Sequence, residues 1–156
     1  MYLPILISLL IACAVFVAAS VKRIPEGQVY SLRRMGRPAG LLTAGTHLVM
    51  PVIDRVAHKI SLNGQVLRFE DHLADNADAR DVRGTVYWQV LEPERADAVI
   101  DHVDELIRGR AVLALHAESM EAASDHRALG ARLKNTMNGG LRDSGMLVTR
   151  VDLDFA

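Results

Sequence analysis

Asp81-Val-Arg-Gly-Thr-Val-Tyr-Trp-Gln-Val-Leu-Glu-Pro-Glu-Arg-Ala96 decides the fold class. Val82, Gly84, Val86, Trp88 and Val90 alternate with Arg83, Thr85, Tyr87 and Gln89. A period of two is the pattern of a strand with one buried face. At Glu92-Pro93-Glu94 the period changes. Proline at a first helical position gives up an N–H that has no partner there, and flanking carboxylates suit a helix N-terminus. Val99, Val103, Leu106 and Ile107 then keep helical spacing, interrupted by Gly109.

Downstream, Leu129, Leu133 and Met137 repeat at i, i+4, i+8. They predict a second helix from Ser124, as N-cap, to Asn138, stopped by Gly139-Gly140. Leu147, Thr149, Val151, Leu153 and Phe155 alternate with Val148, Arg150, Asp152 and Asp154, so a last strand is expected. Upstream, Gln28–Arg34 alternates as a strand. Gly36, Pro38, Gly40 and Gly45 read as a loop, and Thr46–Met50 as a short strand stopped by Pro51. Val56, His58, Ile60 and Leu62 share one face of a further strand. Asn63-Gly64 after it carries the strongest hairpin signal in the chain. Residues 71–81, with Asp71, Asp75, Asp78 and Asp81, read as an acidic loop. Strands come first and helices later, closed by a strand, which is an α+β class.

The charge is unevenly spread. The chain has 156 residues and a net charge of −1, yet every Lys, Arg, Asp and Glu lies at or beyond Lys22. Leu3–Val21 is uncharged and mostly apolar. As a helix it spans about 28 Å, close to the hydrocarbon thickness of a bilayer. Leu3, Ile5, Leu6, Leu9, Leu10, Ile11, Val15, Phe16 and Val17 would face lipid, and Pro4 sits harmlessly in the first turn. Two other readings stand beside a retained anchor. Val17 and Ala19 suit signal cleavage before Ser20, but no cation precedes the apolar run. Leu10-Ile11-Ala12-Cys13 resembles a lipobox, but the residues after Cys13 stay apolar. The expected division is an anchor over 1–21 and one domain over 22–156.

Lys22, Arg23, Arg33, Arg34 and Arg37 cluster after the helix, opposed by Glu26 alone. The positive-inside rule then places the N-terminus outside and the domain in the cytoplasm, as for a protein of the bacterial inner membrane. The same cations are candidates for anionic-lipid contact.

Chemistry-bearing motifs are scarce. The six histidines show no zinc spacing, and a lone cysteine excludes a Cys-based zinc site. His58 reads as a satisfied core or interface histidine. Gly40-Leu-Leu-Thr-Ala-Gly45 has P-loop glycine spacing but lacks the lysine. No GxSxG occurs, and the acidic loop lacks the EF-hand glycine and glutamate. Net charge and few aromatics speak against nucleic-acid binding. No catalytic residue, cofactor, metal or small-molecule substrate is expected.

Ile24-Pro-Glu-Gly-Gln-Val29, Leu32-Arg-Arg-Met-Gly-Arg37, Ala44-Gly-Thr-His-Leu-Val-Met-Pro-Val-Ile-Asp-Arg-Val56 and the Asp81–Ala96 segment occur in that order. Together they resemble the SPFH domain of stomatins, prohibitins, flotillins and the HflK/HflC pair, with Ala44-Gly45 where Pro-Gly is usual. The resemblance implies a non-enzymatic scaffold on the membrane. It would form homo- or hetero-oligomers with SPFH relatives and organise membrane proteins or modulate a membrane-bound protease. An accessory subunit for one membrane enzyme, without self-assembly, is the alternative. The resemblance also implies that Met50, Pro51, Val52 and Ile53 lie close to the bilayer; the residues themselves equally suit a core role for Val49, Val52 and Ile53. Relatives continue into a coiled-coil tail. No sustained heptad occurs up to Ala156, so this reads as a short form without that route to ring assembly.

Overall fold

The computed structural model describes residues 2–74, 79–117 and 126–155. The chain divides into two compact units, Met1–Ile60 and Ser61–Ala156.

The first unit opens with α1 (Tyr2–Ser20), which is apolar all round and exposed along its length apart from Ser20. Such a helix has no face to turn toward water. Its two serines return their hydroxyls to the helix backbone: Ser8 Oγ donates to Ile5 O at 2.9 Å and Ser20 Oγ to Phe16 O at 2.7 Å. β1 (Val21–Ile24) follows at once and pairs antiparallel with β4 (Gly45–Leu48). The expected apolar span thus loses Val21 to a strand. β2 (Gln28–Arg34) lies between β3 (Arg37–Leu42) and β5 (Asp54–Ser61) in a three-stranded sheet. Lys59 on β5 stacks over the Tyr30 ring on β2 at 5.4 Å.

β3 corrects the loop expected around Gly36 and Pro38. Met35 and Gly36 both have positive φ (51° and 83°), which makes the two-residue turn that matches strand twist. Arg34 pairs with Arg37, Arg33 with Pro38 and Leu32 with Gly40, so Ala39 is a bulge. Pro38 is tolerated because β3 is an edge strand.

The second unit is a sheet ordered β6 (Gln65–Ala74), β7 (Ala79–Val90), β8 (Met146–Phe155), antiparallel throughout. Asn63-Gly64 does not turn a hairpin: β5 pairs with β2, β6 pairs with β7, and Gly64 lacks a positive φ. The real hairpin joins β6 to β7, with strand pairing as far as Ala74 and Ala79, so most of the expected acidic loop is strand. Asp75 and Asp78 lie outside the described residues.

β7 buries Val82, Val86, Trp88 and Val90, as its alternation predicts. Gly84 keeps that face open for a reason. It stands opposite Phe69, whose ring lies where a Cβ would be, about 2.2 Å from it. On β8 the expected inward set holds for Val151 and Leu153 and fails before them. The register shifts between Tyr87 and Trp88, so Met146 and Val148 are buried before the bulge and Val151 and Leu153 after it. A bulge swaps faces because the side-chain period is two.

A turn of helix α2 (Pro93–Ala96) and a 3₁₀ turn (Ile100–His102) lead into α3 (Val103–Ala117), unbroken at Gly109. α4 (His126–Leu141) buries Leu129, Leu133, Met137 and Leu141. The expected N-cap Ser124 is outside the described residues. Gly139-Gly140 does not stop α4. The chain continues through a 3₁₀ turn (Arg142–Ser144), and Gly145, at φ 69°, is the left-handed residue that ends it.

α4 packs along β8 at close range. A Cβ on Gly130 would come within 2.6 Å of Val151 O. Asn138 accepts from Val148 N–H at 2.7 Å and donates to Val148 O at 3.0 Å. One side-chain amide thus replaces the missing neighbour strand at that point of the edge.

Candidate membrane-facing surface

The sheet chemistry of the first unit fixes what lies at the exit of α1. The Ser20 carbonyl accepts from Val49 N–H at 2.8 Å, directly beyond the Val21–Leu48 pair. Val49 is buried. The four residues after it are therefore held at the last turn of the helix.

Those residues form a turn closed at both ends by Asp54. Ile53 N–H and Asp54 N–H donate to Met50 O at 3.2 and 2.8 Å, and Met50 N–H donates to Asp54 Oδ2 at 3.2 Å. Arg34 completes the clamp, Nε to Oδ1 at 2.7 Å and Nη2 to Oδ2 at 3.2 Å. The Asp54 side chain is only 4% exposed, while Arg34 is 59% exposed. The hydrogen bond from Arg34 is the main cause that holds the Asp54 carboxyl below its ordinary value, and Asp54 raises Arg34 in return.

The clamp presents apolar side chains outward. Val52 is 84% exposed, and Met50 and Ile53 are exposed as well. The expectation that Val49, Val52 and Ile53 equally suit the core holds for Val49 alone. Met35, at the tip of the β2–β3 hairpin, is 87% exposed. A groove of about 890 Å³ takes in residues of both tips: Ala19, Lys22, Arg33, Met35, Val52, Ile53 and Arg55 are among those that line it. Contiguous exposed apolar groups ringed by cations are unusual on a surface that meets only water.

The five cations read from sequence part company here. Lys22 and Arg23 lie on β1, Arg33 and Arg34 at the end of β2, and Arg37 at the start of β3. Arg34 is committed to Asp54. Lys22 and Arg33 line the groove; Arg23 and Arg37 do not. Arg55, which does line it, is not among the cations that the sequence pattern singles out. It follows Asp54 directly in β5 and lines the groove together with it. The nine apolar positions from Leu3 to Val17 all lie on α1 and are all exposed, as is Cys13.

In the second unit the titratable pairs are structural. His72 Nδ1 meets Asp81 Oδ1 at 2.5 Å across β6 and β7. That hydrogen bond is the main cause raising His72 above its ordinary value. His116 Nε2 meets Asp71 Oδ2 at 2.9 Å, tying α3 to β6. Among the described residues no group of three His, Cys, Asp or Glu side chains could hold a metal ion.

Comparison with known proteins agrees with this architecture. The family model described as SPFH domain / Band 7 family matches residues 22–153. An uncharacterised protein of Schizosaccharomyces pombe is 25% identical over 140 residues, covering 85% of this chain and 40% of the relative. An uncharacterised protein of Mycobacterium tuberculosis is 28% identical over 157 residues, covering 93% of this chain and 40% of the relative. The chain thus spans about 40% of the length of these curated relatives.

Proposed function

Since this chain belongs to the SPFH domain / Band 7 family, a membrane-associated family of scaffold type and generally non-enzymatic, we propose that it is a membrane-anchored scaffold or regulator. α1 is retained as a single-pass anchor. The domain works by binding: to further SPFH chains, to membrane proteins it organises, or to a membrane-bound protease it modulates. It performs no catalysis of its own.

One observation carries this reading. The hydrogen bond from Val49 N–H to Ser20 O holds the exposed Met50–Ile53 turn at the exit of an all-apolar helix. Helix and turn then meet the same bilayer, and the cost of exposing Val52 and Ile53 disappears on contact with lipid. The length and composition of α1 suit a membrane span. Lys22 and Arg23 directly after it favour an N-terminus outside and a cytoplasmic domain.

The test is extraction and topology in membranes. The full chain is expected to resist alkaline carbonate, to retain residues 1–19 by intact mass, and to yield oligomers or a bound membrane partner by crosslinking in mild detergent. Leu113→Cys in a Cys13→Ser background is expected to be shielded from impermeant maleimide in intact cells. Cleavage before Ser20, release by carbonate, or a strictly monomeric chain without a partner would overturn it.

A further inference from the structure

We propose that the groove between the Met35 and Val52 tips holds the headgroup of one anionic phospholipid, its phosphate on Lys22, Arg33 and Arg55 and its glycerol end against Met35, Val52 and Ile53. The proposal rests on the membrane-anchored reading above and specifies the lipid chemistry at that surface.

The groove combines two chemistries that a headgroup also combines. Three cationic side chains line it, and among the described residues none of the three has an ion-pair partner. The one carboxylate on its wall, Asp54, is already neutralised by Arg34. Its positive charge is therefore uncompensated, which suits a phosphate diester. The same groove carries Met35, Val52 and Ile53, which a free inorganic anion would leave wet. Its volume of about 890 Å³ is that of a small-molecule site. Its position fits a lipid: Ala19, in the last turn of α1, is part of its wall. A molecule there would sit with its acyl chains along the helix and its phosphate at the level of Lys22.

Selectivity follows from the same residues. A zwitterionic headgroup would bring a second cation against Arg33 and Arg55, so an anionic lipid is preferred. His58 also lines the groove.

The experiment uses the full chain in mixed phosphatidylcholine and phosphatidylglycerol micelles or nanodiscs, read by native mass spectrometry. One phosphatidylglycerol per chain is expected to survive release, in preference to phosphatidylcholine. Arg33→Gln/Arg55→Gln should reduce retention about tenfold or more, since each headgroup contact is lost separately. Arg23→Gln/Arg37→Gln removes the same charge outside the groove and should leave retention unchanged. Val52→Gln should lower retention while the cations remain. Equal retention of both lipids, or equal loss in the two double variants, overturns the proposal. Displacement of lipid by millimolar inorganic phosphate would assign the cations to a free anion and overturn it too. Carbonate resistance separates the two levels. A chain that stays embedded but shows no preference loses only the headgroup site; a chain that is released loses both readings.

Discussion

Arg34 and Asp54 form a two-toothed ion pair whose halves live in different surroundings, the carboxylate almost wholly enclosed and the guanidinium largely in water. Asp54 also receives Met50 N–H, so the pair closes the turn that carries Val52 and Ile53. The two partners are therefore not equivalent targets for mutation.

Arg34→Met leaves an enclosed carboxylate with only one backbone donor, which is more damaging than losing the exposed cation's own interactions. Asp54→Asn keeps shape and acceptor and returns Arg34 to solvent. Hydrogen exchange at Ile53 and Asp54 amides should accelerate more in Arg34→Met than in Asp54→Asn. Because Asp54 is held below its ordinary 3.8 in the folded chain, its support is complete above that pH. It should fade as pH falls through the lowered value, with faster exchange confined to acid solution.

Gly84→Ala places a methyl group where the Phe69 ring lies. Overpacking of this kind costs about 1–3 kcal/mol. Trp88, the single tryptophan, is buried in the same strand. Its fluorescence therefore reports the second unit, and the urea midpoint read from it should fall. Replacing Phe69 by Leu in the Gly84→Ala background should recover part of the loss.

Asn138→Ala removes both bonds to Val148 and leaves a backbone donor and acceptor unpaired at a part-buried edge. The expected loss is about 1–3 kcal/mol, again as a lower urea midpoint by Trp88 fluorescence. Asn138→Asp should be nearly as harmful, because it keeps the acceptor and loses the donor.

His72 should titrate above its ordinary 6.5, and Asp81→Asn should return it toward that value, as read from the ring resonances by NMR. With a raised value in the folded chain, the pairing contributes below pH 6.5 and is lost as pH rises through His72's own titration. Both side chains are exposed, so the effect on overall stability should be slight.

The elements legible in the sequence are those with one face fully buried. β7 and the Leu129–Leu133–Met137 stripe of α4 announce themselves because each period meets a core on one side and water on the other. β3 announces nothing: from Arg37 to Gly40 it is exposed on both faces, so no alternation is selected and Pro38 and Gly40 look like loop. Asn63-Gly64 misleads for another reason. A dipeptide can permit a hairpin, but strand pairing elsewhere decides whether one forms, and β5 is taken by β2. A single alternation along β8 matches Val151 and Leu153 but misses the buried Met146 and Val148 before the bulge, since a bulge leaves no mark in composition. Of the candidate surface, Lys22, Arg33 and the Met50–Ile53 segment are legible in the sequence. The partnership of Arg34 with Asp54, twenty residues apart, is not. Neither is the arrival of Met35 and Arg55 beside Val52, because both depend on the β2–β3 turn and the β2–β5 neighbourhood.

Ser20 ends a helix and Val21 begins a strand, so a single peptide bond joins α1 to the sheet that follows. A domain on a slack tether sweeps out a hemisphere; the first unit has no such slack. Its azimuth is locked to the rotation of α1 about its own axis. Adding one residue within the helix would lift the surface by about 1.5 Å but swing it round by about 100°. If α1 spans a bilayer as proposed, its length acts as a dial as much as a ruler: it would set which neighbours in the plane of the membrane Val52, Arg33 and Arg55 are turned to face.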